Sequence, residues 1–289
     1  MRIKVFQKGF NYSQDGTGNR LVYHLQGCNF HCPWCANPEG IAVKGSLWVT
    51  DQFLIDTICP HGAIRAKQID RSLCETCNTR ECISLHRTRG IRLSYQEYEI
   101  ESILDEVRRS AALFYDGGGV TLSGGEPTLQ FDAVRELLSE LKNMGIHTAI
   151  ETNASHPRLA VLFPLIDLLI MDFKHYDDEV SASVTGVGNA VVKANILKAM
   201  QAHQRLLIRI PVVRGFNDSE SDMRNFVAFF QQQKTANTSF EFLPFHEYGR
   251  DKWQQCGLPY TVQDGFVGPE TIAEYERLFA ENNFTLART

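Results

Sequence analysis

Beyond about residue 95, short apolar, β-branched runs take turns with longer segments of helical spacing, and this alternation restricts the chain more than any other feature. Runs at residues 120–123, 147–151, 168–172, 206–211 and 240–245, with an earlier one at 21–26, have the length and composition of buried strands. Between them, Ile100, Ile103, Leu104 and Val107 share one face of a helix, and so do Val134, Leu137, Leu138 and Leu141. Further helices are expected over 178–203, 219–232 and 269–281. Strand alternating with helix gives a mostly parallel sheet, covered by its own crossover helices. Six such units are too few for a closed eightfold barrel. The expected fold is therefore α/β, a partial (β/α)6 TIM-type barrel.

Residues 41–94 interrupt the rhythm. They hold four cysteines, little apolar periodicity and the turn-like Cys59-Pro-His-Gly62, so a metal would have to replace the core they lack. The expected domains are a barrel built from residues 1–40 and 95–289 and a small Cys-rich insertion over 41–94. Seven of the eight cysteines precede residue 83. With no apolar leader at the N-terminus, the expected setting is the reducing cytoplasm, where such a cluster of thiols reads as metal ligation. A net charge of −5 with interspersed signs points to neither nucleic acid nor an anionic membrane as partner. The most apolar run, residues 161–171, is broken by Pro164 and Asp167 and is too short to span a bilayer.

The first strand leads into Cys28-Asn-Phe-His-Cys32-Pro-Trp-Cys35, three thiols where closed thiolate sites use four. Spacing alone also suits a zinc site completed by His31 or by a cysteine of the insertion. Three thiolates on a four-iron cubane would leave one iron open to a chelating ligand. Phe30 and Trp34 flank the loop and could keep water from it. Downstream, Gly117-Gly-Gly-Val-Thr-Leu-Ser123-Gly124-Gly125-Glu126-Pro127 puts glycines at a strand end, where a backbone can come close to a ligand, and a carboxylate that suits an ammonium.

The C-x3-C-x2-C loop followed by Gly-Gly-Glu resembles the radical S-adenosylmethionine superfamily. That resemblance implies a [4Fe–4S] cluster on Cys28, Cys32 and Cys35 whose open iron chelates S-adenosyl-L-methionine (SAM). It implies cofactor-binding roles for Gly124, Gly125 and Glu126 at the methionine amino group. It also implies roles for Glu151 and Asn153 in Glu151-Thr-Asn153, for Arg209 at the cofactor carboxylate, and for His246 near the adenosyl group. Glu151 and Ala154 stand where the family has aspartate and glycine. The loop Asp15-Gly16-Thr-Gly-Asn-Arg20, the triplet Asp172-Phe-Lys174 and the stretch from Phe242 to Trp253 are similar to activating enzymes of glycyl radical enzymes. Asp172, Lys174, Asp15 and Gly16 would then meet the glycine-bearing loop of the partner, whose backbone must be held by hydrogen bonds. Asp172 and Lys174 also read simply as an ion pair at a strand end. The implied reaction is reductive cleavage of SAM and removal of a hydrogen atom from a glycine α-carbon of a partner glycyl radical enzyme. Flavodoxin or ferredoxin would be the electron donor, and the chain a monomer.

Cys59, Cys74, Cys77 and Cys82 remain as a complete set of four. They resemble a shortened ferredoxin-like insert holding a second [4Fe–4S] cluster, with zinc as the lesser alternative. Cys256 stands apart and reads as a small buried residue. Two other functions suit parts of the pattern, a radical enzyme acting on a small molecule and a non-catalytic metal-binding docking module.

Overall fold

The computed structural model describes residues 1–50, 53–54, 59–75, 77, 79–85 and 90–288. Strands β1 (Arg2–Tyr12) and β2 (Asn19–Leu25) form a hairpin. The following segment holds β3 (Leu47–Val49), β4 (Ile64–Arg65), β5 (Gln68–Ile69), α1 (Arg71–Glu75), α2 (Glu81–Leu85) and β6 (Ile91–Leu93). Strand β7 (Gln96–Glu99) then leads into the alternation: α3 (Ile100–Ser110), β8 (Gly119–Gly124), α4 (Phe131–Asn143), β9 (Thr148–Thr152) and β10 (Leu168–Asp172). It continues through α5 (Asp178–Thr185), α6 (Ala190–Ala202), β11 (Leu206–Val212), α7 (Glu220–Gln231) and β12 (Thr238–Pro244), and ends with α8 (Arg250–Cys256), α9 (Pro269–Glu281) and β13 (Thr285–Leu286).

The main sheet runs β13-β12-β11-β10-β9-β8-β2-β1-β7, parallel from β13 to β2. The six expected strands are its parallel core, and the sheet is open, as a partial barrel requires. Strand β1 pairs antiparallel with both β2 and β7 and extends the sheet at one side. The outer face is the principal core. There Leu21, Tyr23 and Leu25 of β2 share one cluster with Ile103 and Val107 of α3 and with Val134, Leu137, Leu138 and Leu141 of α4. The alternate residues face inward, where Ala149, Leu168, Ile170 and Leu207 form a small separate cluster.

One expected helix, 178–203, is two. Gly186 takes the left-handed conformation (φ +84°) as the C-cap of α5, and the Asp178 carboxylate accepts from the backbone of Asn189 (2.7 Å) and Ala190 (3.0 Å) at the start of α6. A glycine cap and an acidic group on the next N-terminus end one helix and begin another, which the apolar spacing alone does not reveal.

The β1–β2 loop closes the lower part of the barrel. Thr121 donates to the carbonyl of Asp15 (2.7 Å), and Arg209 donates to that of Gln14. Beneath it lies Arg20, fully buried, whose guanidinium donates to Thr121 Oγ1 (2.7 Å) and the Val120 carbonyl (2.8 Å). Gly16 (φ +120°) lies where a Cβ would come within 3.0 Å of the Arg20 side chain. The floor is thus tied to β8 and β11.

The inserted segment packs Leu47, Val49, Leu54, Ile64, Cys82 and Ile91 into a core of its own. The antiparallel pair β3–β6 forms its neck. Arg71 joins it to the barrel, donating to the carbonyls of Leu47 (2.8 Å) and of Gln255 in α8 (2.7 Å). Among the described residues, no helix is long and apolar enough to cross a membrane.

Candidate cofactor and metal site

A cavity of about 280 Å³ opens at the C-terminal ends of β2, β8, β9 and β10. Such strand ends are where barrels of this type bind ligands. Cys28, Cys32 and Cys35 all border it, with Phe30 and Trp34 beside them. Backbone bonds fix the loop: Cys28 N–H donates to Ile41 (2.9 Å), His31 N–H to Thr185 (2.8 Å), and Trp253 Nε1 to the Cys35 carbonyl (2.9 Å). Two further N–H groups point at sulfur, Phe30 to Cys28 and Asn37 to Cys35, each at 3.4 Å.

Burial raises the pKa of all three thiols, that of Cys35 to about 12, and Cys28 and Cys35 are raised further by the neighbouring cysteines. Bare, they are neutral at pH 7; as thiolates they need a cation. Among the described residues, no three His, Cys, Asp or Glu side chains meet at one point as the ligands of a single ion would. The three sulfurs border the cavity wall instead, which suits a cluster whose irons each take one thiolate. With N–H groups already directed at two of them, this donor set fits an iron–sulfur cluster.

The Gly-Gly-Glu turn packs closely on the start of the cysteine loop. A Cβ on Gly124 would lie 2.4 Å from Leu25 N, and one on Gly125 would lie 2.3 Å from the Gly27 carbonyl. The glycines therefore let the turn press against the start of the cysteine loop, and both still border the cavity. Glu126 faces away from it. Its carboxylate is fully buried and accepts from Thr128 N (3.0 Å), Thr128 Oγ1, Thr152 Oγ1 (2.7 Å) and Asn153 N (2.7 Å). Burial raises its pKa against these bonds. The side chain braces β8 against β9.

Arg209 is likewise engaged. It is 4% exposed and donates to Glu151 (2.5 Å), to Glu241 (2.8 Å) and to the Gln14 carbonyl. Burial opposes its charge, but Glu151 and Glu241 outweigh that and hold its pKa above the ordinary value. These partners fix its fork on the inward face of the sheet. His246 follows the end of β12. It is half-buried, stacks on Tyr248 (4.2 Å between centroids) and does not border the cavity.

The other expected residues do meet there. Glu151 borders the cavity while accepting from Ser123 Oγ (2.7 Å), and Asn153 Nδ2 lies 3.9 Å from Cys28 Sγ. Asp172 and Lys174 border it as an ion pair (2.8 Å). Burial works against the Lys174 ammonium, yet Asp172 and Cys32 hold its pKa above the ordinary value. Asp15 reaches the cavity from the floor, while Gly16 beside it does not line it. Among residues the motifs do not single out, His24 and Ser123 also border the cavity. His24 pairs in register with Ser123, and Glu241, which does not border the cavity, with Arg209.

Residues 22–227 match the model of the Radical SAM superfamily. The chain belongs to that superfamily. The 4-hydroxyphenylacetate decarboxylase activating enzyme of Clostridioides difficile is 32% identical over 286 residues, 93% of this chain and 90% of that one. The isethionate sulfite-lyase activating enzyme of Desulfovibrio desulfuricans is 33% identical over 84% of this chain and 83% of that one. Within the superfamily, the chain therefore belongs to the activating enzymes of glycyl radical enzymes. A solved domain of a pyruvate-formate lyase-activating enzyme from Bacteroides vulgatus shares the fold, with a TM-score of 0.50 at 23% identity over 59% of this chain and 98% of that one. Radical SAM membership brings SAM and a [4Fe–4S] cluster as cofactors.

In the inserted segment, the thiols of Cys59, Cys74, Cys77 and Cys82 are near enough to influence one another: Cys74 and Cys82 are raised first by burial and then by neighbouring cysteines. Cys77 is lowered, chiefly by the Arg80 N–H that donates to its sulfur at 3.4 Å.

Proposed function

We propose that this chain is the activase of one glycyl radical enzyme, with Cys28, Cys32 and Cys35 as the ligands of its SAM-binding cluster. The observation that carries the reading is the single cavity that holds the three cysteines, Glu151 and the Asp172–Lys174 pair. When bound, cluster and SAM supply the one-electron chemistry that takes a hydrogen atom from a glycine α-carbon. The chain supplies the rest. Gly124, Gly125 and Glu126 serve the methionine amino group of the cofactor, Arg209 its carboxylate and His246 its adenosyl group, Glu151 and Asn153 border it, and Phe30 and Trp34 exclude water from the cysteine side. Asp172, Lys174, Asp15 and Gly16 face the incoming glycine loop, whose peptide groups are all an enzyme can grip.

Anaerobic reconstitution followed by SAM and dithionite should yield 5′-deoxyadenosine. Adding the right glycyl radical enzyme should yield its protein radical by electron paramagnetic resonance. A protein loaded with iron that cleaves no SAM would refute the reading. The relatives' own partners, a decarboxylase and a sulfite-lyase, are the first to try.

Residues 41–94 form the second unit of our reading, with Cys59, Cys74, Cys77 and Cys82 holding an auxiliary [4Fe–4S] cluster and the barrel comprising 1–40 and 95–289. The mutual influence of their thiols and the N–H directed at Cys77 support this. About eight irons per chain are expected, two four-iron clusters. Replacing Cys74 and Cys82 together by alanine should halve that number while the first cluster stays. Four irons with one zinc would instead establish the zinc alternative. A flavodoxin or ferredoxin as donor, a monomeric state and a cytoplasmic setting complete the proposal.

A further inference from the structure

We propose that Arg20, acting through Thr121, positions the β1–β2 loop so that Asp15 meets the glycine-bearing loop of the partner enzyme. The inference rests on the reading that Asp15 and Gly16 face that loop.

Arg20 lies near the start of β2 and does not border the cavity. It is fully buried, and its guanidinium donates to Thr121 Oγ1 (2.7 Å) and to the carbonyls of Val120 (2.8 Å), Thr17, Gly117 and His147 (3.3 Å each). None of these partners is a carboxylate. Burial, assisted by Arg205, lowers its pKa to about 10, while Asp15 and Asp167 oppose the fall, so the group is a cation at pH 7. Taking a cation out of water among neutral groups is costly, and a well-packed apolar side chain usually serves stability at least as well. Other inward positions of the sheet, Ala149, Leu168, Ile170 and Leu207, are in fact apolar. The arginine therefore has a task besides filling the barrel.

That task is the loop. The Thr121 hydroxyl, itself fully buried, accepts from Arg20 and donates to the Asp15 carbonyl (2.7 Å). A hydroxyl that accepts from a cation is a stronger donor to its own acceptor. Gly16 rests against the Arg20 stem, and the Thr17 carbonyl takes an outer N–H of the guanidinium. Three consecutive loop residues are thus held by one side chain and its threonine. Of the three, Asp15 borders the cavity, and its carboxylate also accepts from Asn11 Nδ2 (2.5 Å). The height of the loop fixes where that carboxylate stands against a glycine backbone, and a misplacement of about 1 Å can cost on the order of 100-fold in rate. The cysteine loop begins beyond the other end of β2, and none of these bonds reaches it. Arg20 and Thr121 are positioning residues for the partner and not for SAM.

The test uses full-length, anaerobically reconstituted protein. Valine has the shape of threonine without its hydroxyl, and serine keeps the hydroxyl. Thr121→Val should lower glycyl radical formation in the partner on the order of tenfold or more, while SAM cleavage without partner stays within about threefold of wild type. Thr121→Ser should keep both within about threefold by the same measure. Arg20→Lys, which keeps the charge but loses the fork, should repeat the selective loss. Hydrogen exchange read by mass spectrometry needs no partner: amides of residues 13–18 should exchange about tenfold faster in Thr121→Val than in Thr121→Ser, the effect of one lost hydrogen bond. Unchanged exchange and radical formation in Thr121→Val would overturn the relay. An equal fall of SAM cleavage and radical formation would also overturn it, by making the pair a support of the whole barrel. Wild-type radical formation by Asp15→Ala would instead overturn the reading of the loop on which the inference rests.

Discussion

Replacing any one of Cys28, Cys32 or Cys35 by alanine is expected to lower SAM cleavage below about one hundredth of the wild-type rate, since even the loss of an outer partner of a metal ligand costs 10–100-fold. Iron should fall by about four per chain, one cubane. The three thiols border one cavity, and each lies where burial disfavours a free thiolate. Without a full ligand set, the remaining thiols have little reason to ionise, and an incomplete cluster has no substitute donor at hand: His31, the alternative ligand on spacing alone, is exposed at the loop surface. Cys256→Ala is the control. That residue, the last of α8, is buried at 5% exposure, and its replacement should keep both iron and activity. Iron analysis and 5′-deoxyadenosine formation check all four variants, and full iron in Cys32→Ala would refute the ligand assignment.

Arg209→Met is expected to destabilise the protein by about 3–5 kcal/mol, the usual cost of removing one member of a buried ion pair. The guanidinium bridges Glu151 of β9 and Glu241 of β12 across the inward face. Taking it away leaves two carboxylates facing each other with their desolvation uncompensated. For a chain of this size the melting temperature should fall by roughly 6–15 °C. Arg209→Met combined with Glu241→Leu removes one of the stranded charges and should recover part of the loss, a coupling that a double-mutant cycle measures. Thermal unfolding of the protein under reducing conditions provides the numbers. An unchanged melting temperature for Arg209→Met would show that the bridge contributes nothing to stability.

The barrel strands were legible because their signal is local. Residues 168–172 are an apolar run ending in an aspartate, and β10 spans Leu168–Asp172. Strand β1 is less legible because only Ile3 and Val5 of its eleven residues are buried, and a strand so largely exposed carries little apolar pattern. The site divides in the same way. Which residue types cluster at the strand ends is written in the motifs, so the cysteines, Glu151, Asn153, Asp172 and Lys174 fall where expected. What each group is bonded to is set by residues far along the chain. Glu126 is taken up by Thr152 and Asn153 of a separate motif, and Arg209 by Glu241 and Gln14, pairings that no one motif states. His24 could have been suspected from parity alone, since it shares the inward face of β2 with Arg20.

Helix α8 touches both cysteine-bearing parts of the molecule. Trp253 holds the carbonyl of Cys35, Lys252 pairs with Glu39 just beyond the loop (2.9 Å), and the Gln255 carbonyl receives Arg71 from the inserted segment. The segment is therefore a brace for the radical site, whatever its own thiols bind. A lineage could shed those thiols and still have reason to keep the fifty or so residues that carried them, because excision would leave α8 without a backing. Ligand count and segment length are in this way free to evolve separately.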